Sequence, residues 1–200
     1  MMHARLVGRL SSALSRIPRE ATKDNRGSQI VEFAVSLPLL VLFVIGIFDF
    51  SSAITLKQKL TNAAREGARV AASDPANDLA GSAPFPASVG DALQVVDKYL
   101  LSEGINDCGL KFALPTLNPP PLTWVATGPS CPGGAALVLT INRGYSTPQT
   151  SGPTTTYLVN TLVTIRYPYN WQFGGVAGLF GNSFTLPTGI STTAVAFNEN

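Results

Sequence analysis

The chain has 200 residues and a formal net charge of +2, with Lys and Arg sparse after residue 27. That scarcity excludes a nucleic-acid surface, which needs clustered cations on the folded part. The only histidine is His3, so histidine-based catalysis and metal ligation are excluded from everything beyond the first few residues.

Residues 1–27 carry Arg5, Arg9, Arg16, Arg19, Lys23 and Arg26 against Glu20 and Asp24, a net of +4, whereas the remainder is net −2. The leader is therefore basic, with Met1 and Met2 both available as its start. An apolar segment, IVEFAVSLPLLVLFVIGIFDFSSAITL, follows from Ile30 to Leu56. Phe33 to Phe48 is an uncharged run of 16 residues, and Glu32 and Asp49 flank it. A bilayer core needs roughly 20 apolar residues at 1.5 Å rise each, which Ile30 to Asp49 supplies. The segment predicts a transmembrane helix over residues 28–56 with both carboxylates near the membrane faces, where a charge is least costly. The basic leader outweighs Lys57 and Lys59 and places the N-terminus in the cytoplasm, with the remainder outside. A cleaved secretory signal would have a shorter apolar core and a small-residue cut site soon after it. Neither is present. Pro38 removes one backbone hydrogen bond and predicts a bend or weak point in the span.

Residues 57–73 continue the helix. Leu56, Leu60, Ala64, Gly67 and Ala71 recur at three- and four-residue spacing as a narrow stripe of small residues. Glu66 is placed to reach Arg69 or Asn62, and Ser73-Asp74-Pro75 stops the helix. Residues 74–86 read as a linker. Ser88 is a candidate cap for a second helix whose apolar face is Val89, Leu93, Val96 and Leu100, ended by Gly104. Its Asp91 and Asp97 read as solvent-facing charges.

Turn residues are dense from Leu110 onward. Candidate strands are 110–114, 122–127, 135–142, 155–167 and 183–197. The clearest alternation puts Tyr157, Val159, Val163, Ile165 and Tyr167 on one side of a strand, interrupted by Thr161. Residues 87–200 thus predict a head, and the fold class is α+β: a long N-terminal transmembrane and stalk helix, then one helix packed on an antiparallel sheet. Cys108 and Cys131 are the two cysteines. Outside the cytoplasm a disulfide between them is the natural reading, closing a 24-residue loop and contributing about 3 kcal/mol. Two unrelated buried thiols are the alternative.

The junction of leader and span carries the motif with the most chemistry, Arg26-Gly27-Ser28-Gln29-Ile30-Val31-Glu32-Phe33. A small, flexible Gly suits a peptidase cut, and a carboxylate one turn into the new helix can neutralise a neighbour's N-terminal amine inside an apolar bundle. The layout is that of a type IV prepilin signal, with cleavage between Gly27 and Ser28 leaving Glu32 and Phe33 as the fifth and sixth residues. The bland alternative is an interfacial charge on an anchor helix. The 47 residues RGSQIVEFAVSLPLLVLFVIGIFDFSSAITLKQKLTNAAREGARVAA go further. In the Gly27–Glu32–Phe33 spacing, Leu37-Pro38, Gly46-x-x-Asp49-Phe50 and the Asn62–Ala72 run, they resemble the TadE-like family, pseudopilins of the tight-adherence (Flp-type) pilus system.

The resemblance implies a minor pilin or assembly factor of the inner membrane, residing there or incorporated in the pilus. Its partners would be the prepilin peptidase, other pilin subunits, the assembly machinery and the membrane bilayer, with no nucleic acid. No cofactor is implied. Glu32 and Phe33 would be the subunit-assembly residues and Gly27–Ser28 the processing site. A mature chain of 173 residues with a head suits a minor role, since major subunits of this pilus class are much shorter. No Gly-x-Ser-x-Gly, phosphate loop or His-Glu-x-x-His occurs, so an enzyme is not expected. The competing reading is an uncleaved, membrane-tethered binding or adhesion module.

Overall fold

The computed structural model describes residues 25–80, 84–132, 134–172, 174 and 187–199. Most of the basic leader with His3, residues 81–83 of the expected linker and residues 183–186 of the last expected strand lie outside them. The chain divides into two units, Met1–Val44 and Ile45–Asn200. The helix α1 (Asn25–Ser73) supplies the described part of the first unit and the opening of the second.

In the second unit, α1 ends at Ser73 ahead of Asp74-Pro75, a 3₁₀ turn spans Ala76–Ala80, and α2 covers Ala87–Ser102. Five strands follow: β1 (Thr116–Asn118), β2 (Thr123–Thr127), β3 (Val138–Ser151), β4 (Thr154–Pro168) and β5 (Gly189–Phe197). They form one sheet in sequential order, every neighbour antiparallel. This is the α+β arrangement expected from the sequence. Along the central strands, buried Trp124, Ala126, Leu139, Ile141, Val163, Ile165 and Ala194 alternate with more exposed residues. That face carries both helices, so the core lies between two layers.

The small-residue stripe is what lets α1 come close. Leu60, Ala63, Ala64, Ala68 and Ala71 are at most 1% exposed. A Cβ added to Gly67 would lie 2.7 Å from Val96 Cγ2, 3.6 Å from Ala92 O and 3.9 Å from Val163 Cγ1. Gly67 is therefore the contact point of α1 with α2 and β4. Val96 is β-branched and stiff at χ1, so it does not swing aside. Gly67→Val should destabilise the second unit by about 2–3 kcal/mol despite the better helix propensity, measured as the shift in urea midpoint of the detergent-solubilised chain.

Several expectations need correction. Ser88 is not the cap of α2. Pro86 holds that position, Ser88 is the second helical residue, and its backbone N–H donates to Asp78 Oδ2 at 2.9 Å. The capping acceptor comes from the 3₁₀ turn ten residues upstream, so the expected linker is partly ordered around α2. At the other end Gly104 has φ +69°, its N–H donates to Leu101 O, and the Ile105 N–H donates to Leu100 O. That closes α2 as the Gly104 signal predicts.

Residues 110–114 are not a strand: Leu110–Phe112 is a 3₁₀ turn. The disulfide Cys108–Cys131 is present and holds this turn against the β2–β3 connection, with Cys108 at φ +53°. β3 runs nine residues past the expected end at residue 142, pairing with β4 through a register shift between Asn142 and Tyr145. Beyond the Tyr145–Asn160 pair, β3 and β4 pair only with each other. Tyr157 and Val159 are consequently exposed, while Thr161, expected to interrupt the apolar face, is fully buried beside Val163 and Ile165. The ribbon turns at Gly152, φ +64°, the positive value a two-residue hairpin loop needs at its first position.

Two buried charge clusters were not legible. Arg143, fully buried on β3, donates from Nη2 to Asp74 O at 3.0 Å and sets Nη1 4.0 Å from Asp78 Oδ1. The cation thus meets the carbonyl just past the end of α1, where the helix dipole is negative. Burial lowers the Arg143 pKa from its ordinary value, and Asp78 and Asp74 oppose that shift.

Asp97, expected in solvent, is only 6% exposed and lies beside Asp107. Its pKa is raised, first by burial and then by the hydrogen bond and charge of Asp107. A raised carboxyl favours folding while protonated. That contribution is whole below the unfolded-chain value and is lost as pH rises through the folded one. Asp97→Asn should remove this part of the decline and raise the melting temperature at neutral pH, because an amide can donate to Asp107 at every pH. Melting curves across an acid-to-neutral series check it.

Candidate functional site

Every described residue from Gly27 to Val41 is exposed in the first unit, including Phe33 at 64% and Val35 at 71%. A surface helix has one apolar stripe, whereas a helix that is apolar all round must be covered by lipid or by other helices. By length and composition α1 is apolar enough to cross a membrane from Gly27 onward, which supports single-pass anchoring.

Its hydroxyls reinforce the apolar surface. Ser36 donates to Phe33 O at 3.3 Å, and in the second unit Ser52 donates to Phe48 O and Thr55 to Ser51 O, both at 2.9 Å. Each hydroxyl is satisfied by its own helix and needs no water. α1 is continuous through Pro38, although the ring removes one donor from the ladder.

The motif residues sit together at the start of this helix. Gly27 and Ser28 are its third and fourth residues, both exposed, and a Cβ on Gly27 would meet nothing within 4 Å. No packing among the described residues therefore requires glycine here, although glycine weakens a helix by about 1 kcal/mol relative to alanine. Glu32 is exposed and makes no hydrogen bond or ion pair with any described residue, and Phe33 beside it is likewise open. A carboxylate on an apolar helix that is to be desolvated requires a cationic partner, and that partner must come from outside the described residues.

Asp49, the second flanking carboxylate, is different. It is only 4% exposed, and the Tyr169 hydroxyl donates to its Oδ1 at 2.9 Å and lies 3.1 Å from its backbone carbonyl. The Tyr169 pKa is pushed up to about 12, by burial first and then by the hydrogen bond and charge of Asp49. Sequence reading placed Asp49 at a membrane face but had no means of finding Tyr169, 120 residues away. Among the described residues no group of three or more His, Cys, Asp or Glu side chains is gathered as a metal ion would need.

Residues 27–69 match the model of a family described as TadE-like protein, a family of the tight-adherence pilus system. No curated protein and no solved structure matches the chain. The match begins at Gly27 and ends within the stripe that packs on α2, so it covers the exposed apolar helix and its first turns in the second unit.

Proposed function

We propose that this chain is a pseudopilin, a minor pilin that acts in assembling or initiating a tight-adherence pilus. A prepilin peptidase removes the basic leader by cutting between Gly27 and Ser28 on the cytoplasmic side of the inner membrane. The remaining helix holds the protein in the membrane as a single pass, with residues beyond the span on the far side, until it joins other subunits. Glu32 then pairs with the free N-terminal amine of a neighbour, and Phe33 packs beside it.

The observation that carries this reading is the pairing of two unexplained residues at the start of the family match: a glycine with no packing role among the described residues and an exposed carboxylate with no partner among them. Cleavage and subunit pairing give each a role. A plain tether needs neither.

Gly27→Leu tests the cleavage step. The substitution meets no steric obstacle among the described residues, so folding and membrane insertion should be unchanged. The peptidase-dependent mobility shift on a denaturing gel should disappear. A normal shift in this variant would sink the assignment of Gly27.

A further inference from the structure

The second unit has an apolar collar of its own. Ile47, Phe48, Phe50 and Ile54 are 55–70% exposed on the part of α1 that opens this unit. The chain after β4 comes back to the same level. Trp171 packs its ring 5.4 Å from Phe50, and Tyr169 meets Trp171 edge-on at 4.9 Å.

Their polar atoms are already satisfied. The Trp171 indole N–H donates to Pro187 O at 2.7 Å, and Tyr169 bonds Asp49. Asp49 is the one charged residue between Ile45 and Leu56, and it is buried. The next charge on the helix, Lys57, is exposed and lies about 12 Å further along the helix axis, a distance comparable to a headgroup layer.

We propose that Phe48, Phe50, Tyr169 and Trp171 form an interfacial collar that seats this end of the second unit in the headgroup and upper acyl region of the bilayer. The inference rests on the single-pass reading above and adds that the folded unit itself contacts lipid. Three observations select lipid as the occupant. The collar continues, along the chain, the apolar segment assigned to the membrane. Trp and Tyr are enriched at membrane–water interfaces, and here their bonds to Pro187 and Asp49 spare their polar atoms any need for water. The one acidic group of α1 at this level, Asp49, is hydrogen-bonded to Tyr169 and shielded from lipid, which lowers the cost of desolvation, and Glu103, which borders Ser51, Ser52 and Thr55, is paired with Lys59.

The two tryptophans make the test direct, because Trp124 is 5% exposed in the core and serves as the internal reference. Full-length protein is reconstituted in phosphatidylcholine vesicles with and without lipid brominated high on the acyl chain. Wild type is compared with Trp171→Phe, and Trp124→Phe is the reciprocal variant should the first fail to fold. The emission assigned to Trp171 should fall by about half or more in brominated vesicles, while that of Trp124 stays unchanged.

Equal, negligible quenching of both residues in protein that floats with the vesicles and resists carbonate extraction would overturn the collar while leaving the span intact. Protein that fails to float with the vesicles would overturn the span and the collar together.

Discussion

Arg143→Ala is expected to destabilise the second unit by about 3 kcal/mol, the largest effect of any single change outside the apolar core. The guanidinium is fully buried where the end of α1, the 3₁₀ turn that caps α2 and strand β3 converge. Removing it strands two acidic groups. Asp78 keeps its bond to the Ser88 N–H but loses its counter-charge. Asp74, whose pKa is already raised by burial first and then by Asp91, loses the one neighbour that lowers it. Arg143→Ala should also make stability fall more steeply as pH rises through the carboxyl range, because Asp74 then binds its proton still more tightly in the folded state than in the unfolded chain. Urea denaturation of the detergent-solubilised chain at acid and neutral pH checks both points. A loss below 1 kcal/mol would mean that the apolar layers alone hold the elements in register.

Glu32→Ala should leave insertion and folding intact yet reduce incorporation into pili on the order of a hundredfold. The factor follows from an unpaired N-terminal amine in an apolar bundle, which costs about 3 kcal/mol or more per contact. Glu32 has no partner among the described residues, so nothing in the fold is known to depend on it. Glu32→Gln should fail similarly, because shape without charge does not neutralise the amine. Counting pili and immunoblotting sheared filaments gives the answer, with membrane fractions as the insertion control. Normal piliation by either variant would end the role proposed for Glu32.

What was legible in the chain divides along physical lines. Period and length identified α1 and α2. Alternation identified the inner half of β4, and a short apolar run between turn residues the start of β3, because in those segments each residue's surroundings follow from its neighbours in sequence. Gly104 announced the end of α2 for the same local reason, and the lone cysteine pair announced its own bond. The motif at Gly27 and Glu32 stood out because its chemistry is written in spacing along one helix.

Features set by tertiary approach were not legible. Asp78 replaces Ser88 as the acceptor at α2 because a turn ten residues upstream folds back over the helix start. The stripe at Leu60, Ala64 and Gly67 was visible as a pattern, but only the close approach of Val96 shows that it packs within the chain. Arg143 gave no local signal, and Asp97 read as solvated, because burial of a charge depends on partners distant in sequence. Tyr157 and Val159 alternate as core residues do, yet they lie in a two-stranded ribbon that leaves the sheet and has no core beneath it.

The central claim is that the leader is removed at Gly27, and the mature N-terminus measures it. Protein extracted from membranes of cells with and without the prepilin peptidase would be digested and its N-terminal peptide read by mass spectrometry. A peptide beginning at Ser28, present only with the peptidase, is the result expected of a pseudopilin. An intact leader in both strains would contradict it and leave a tethered module, whose function would then have to be sought in the sheet and its exposed ribbon.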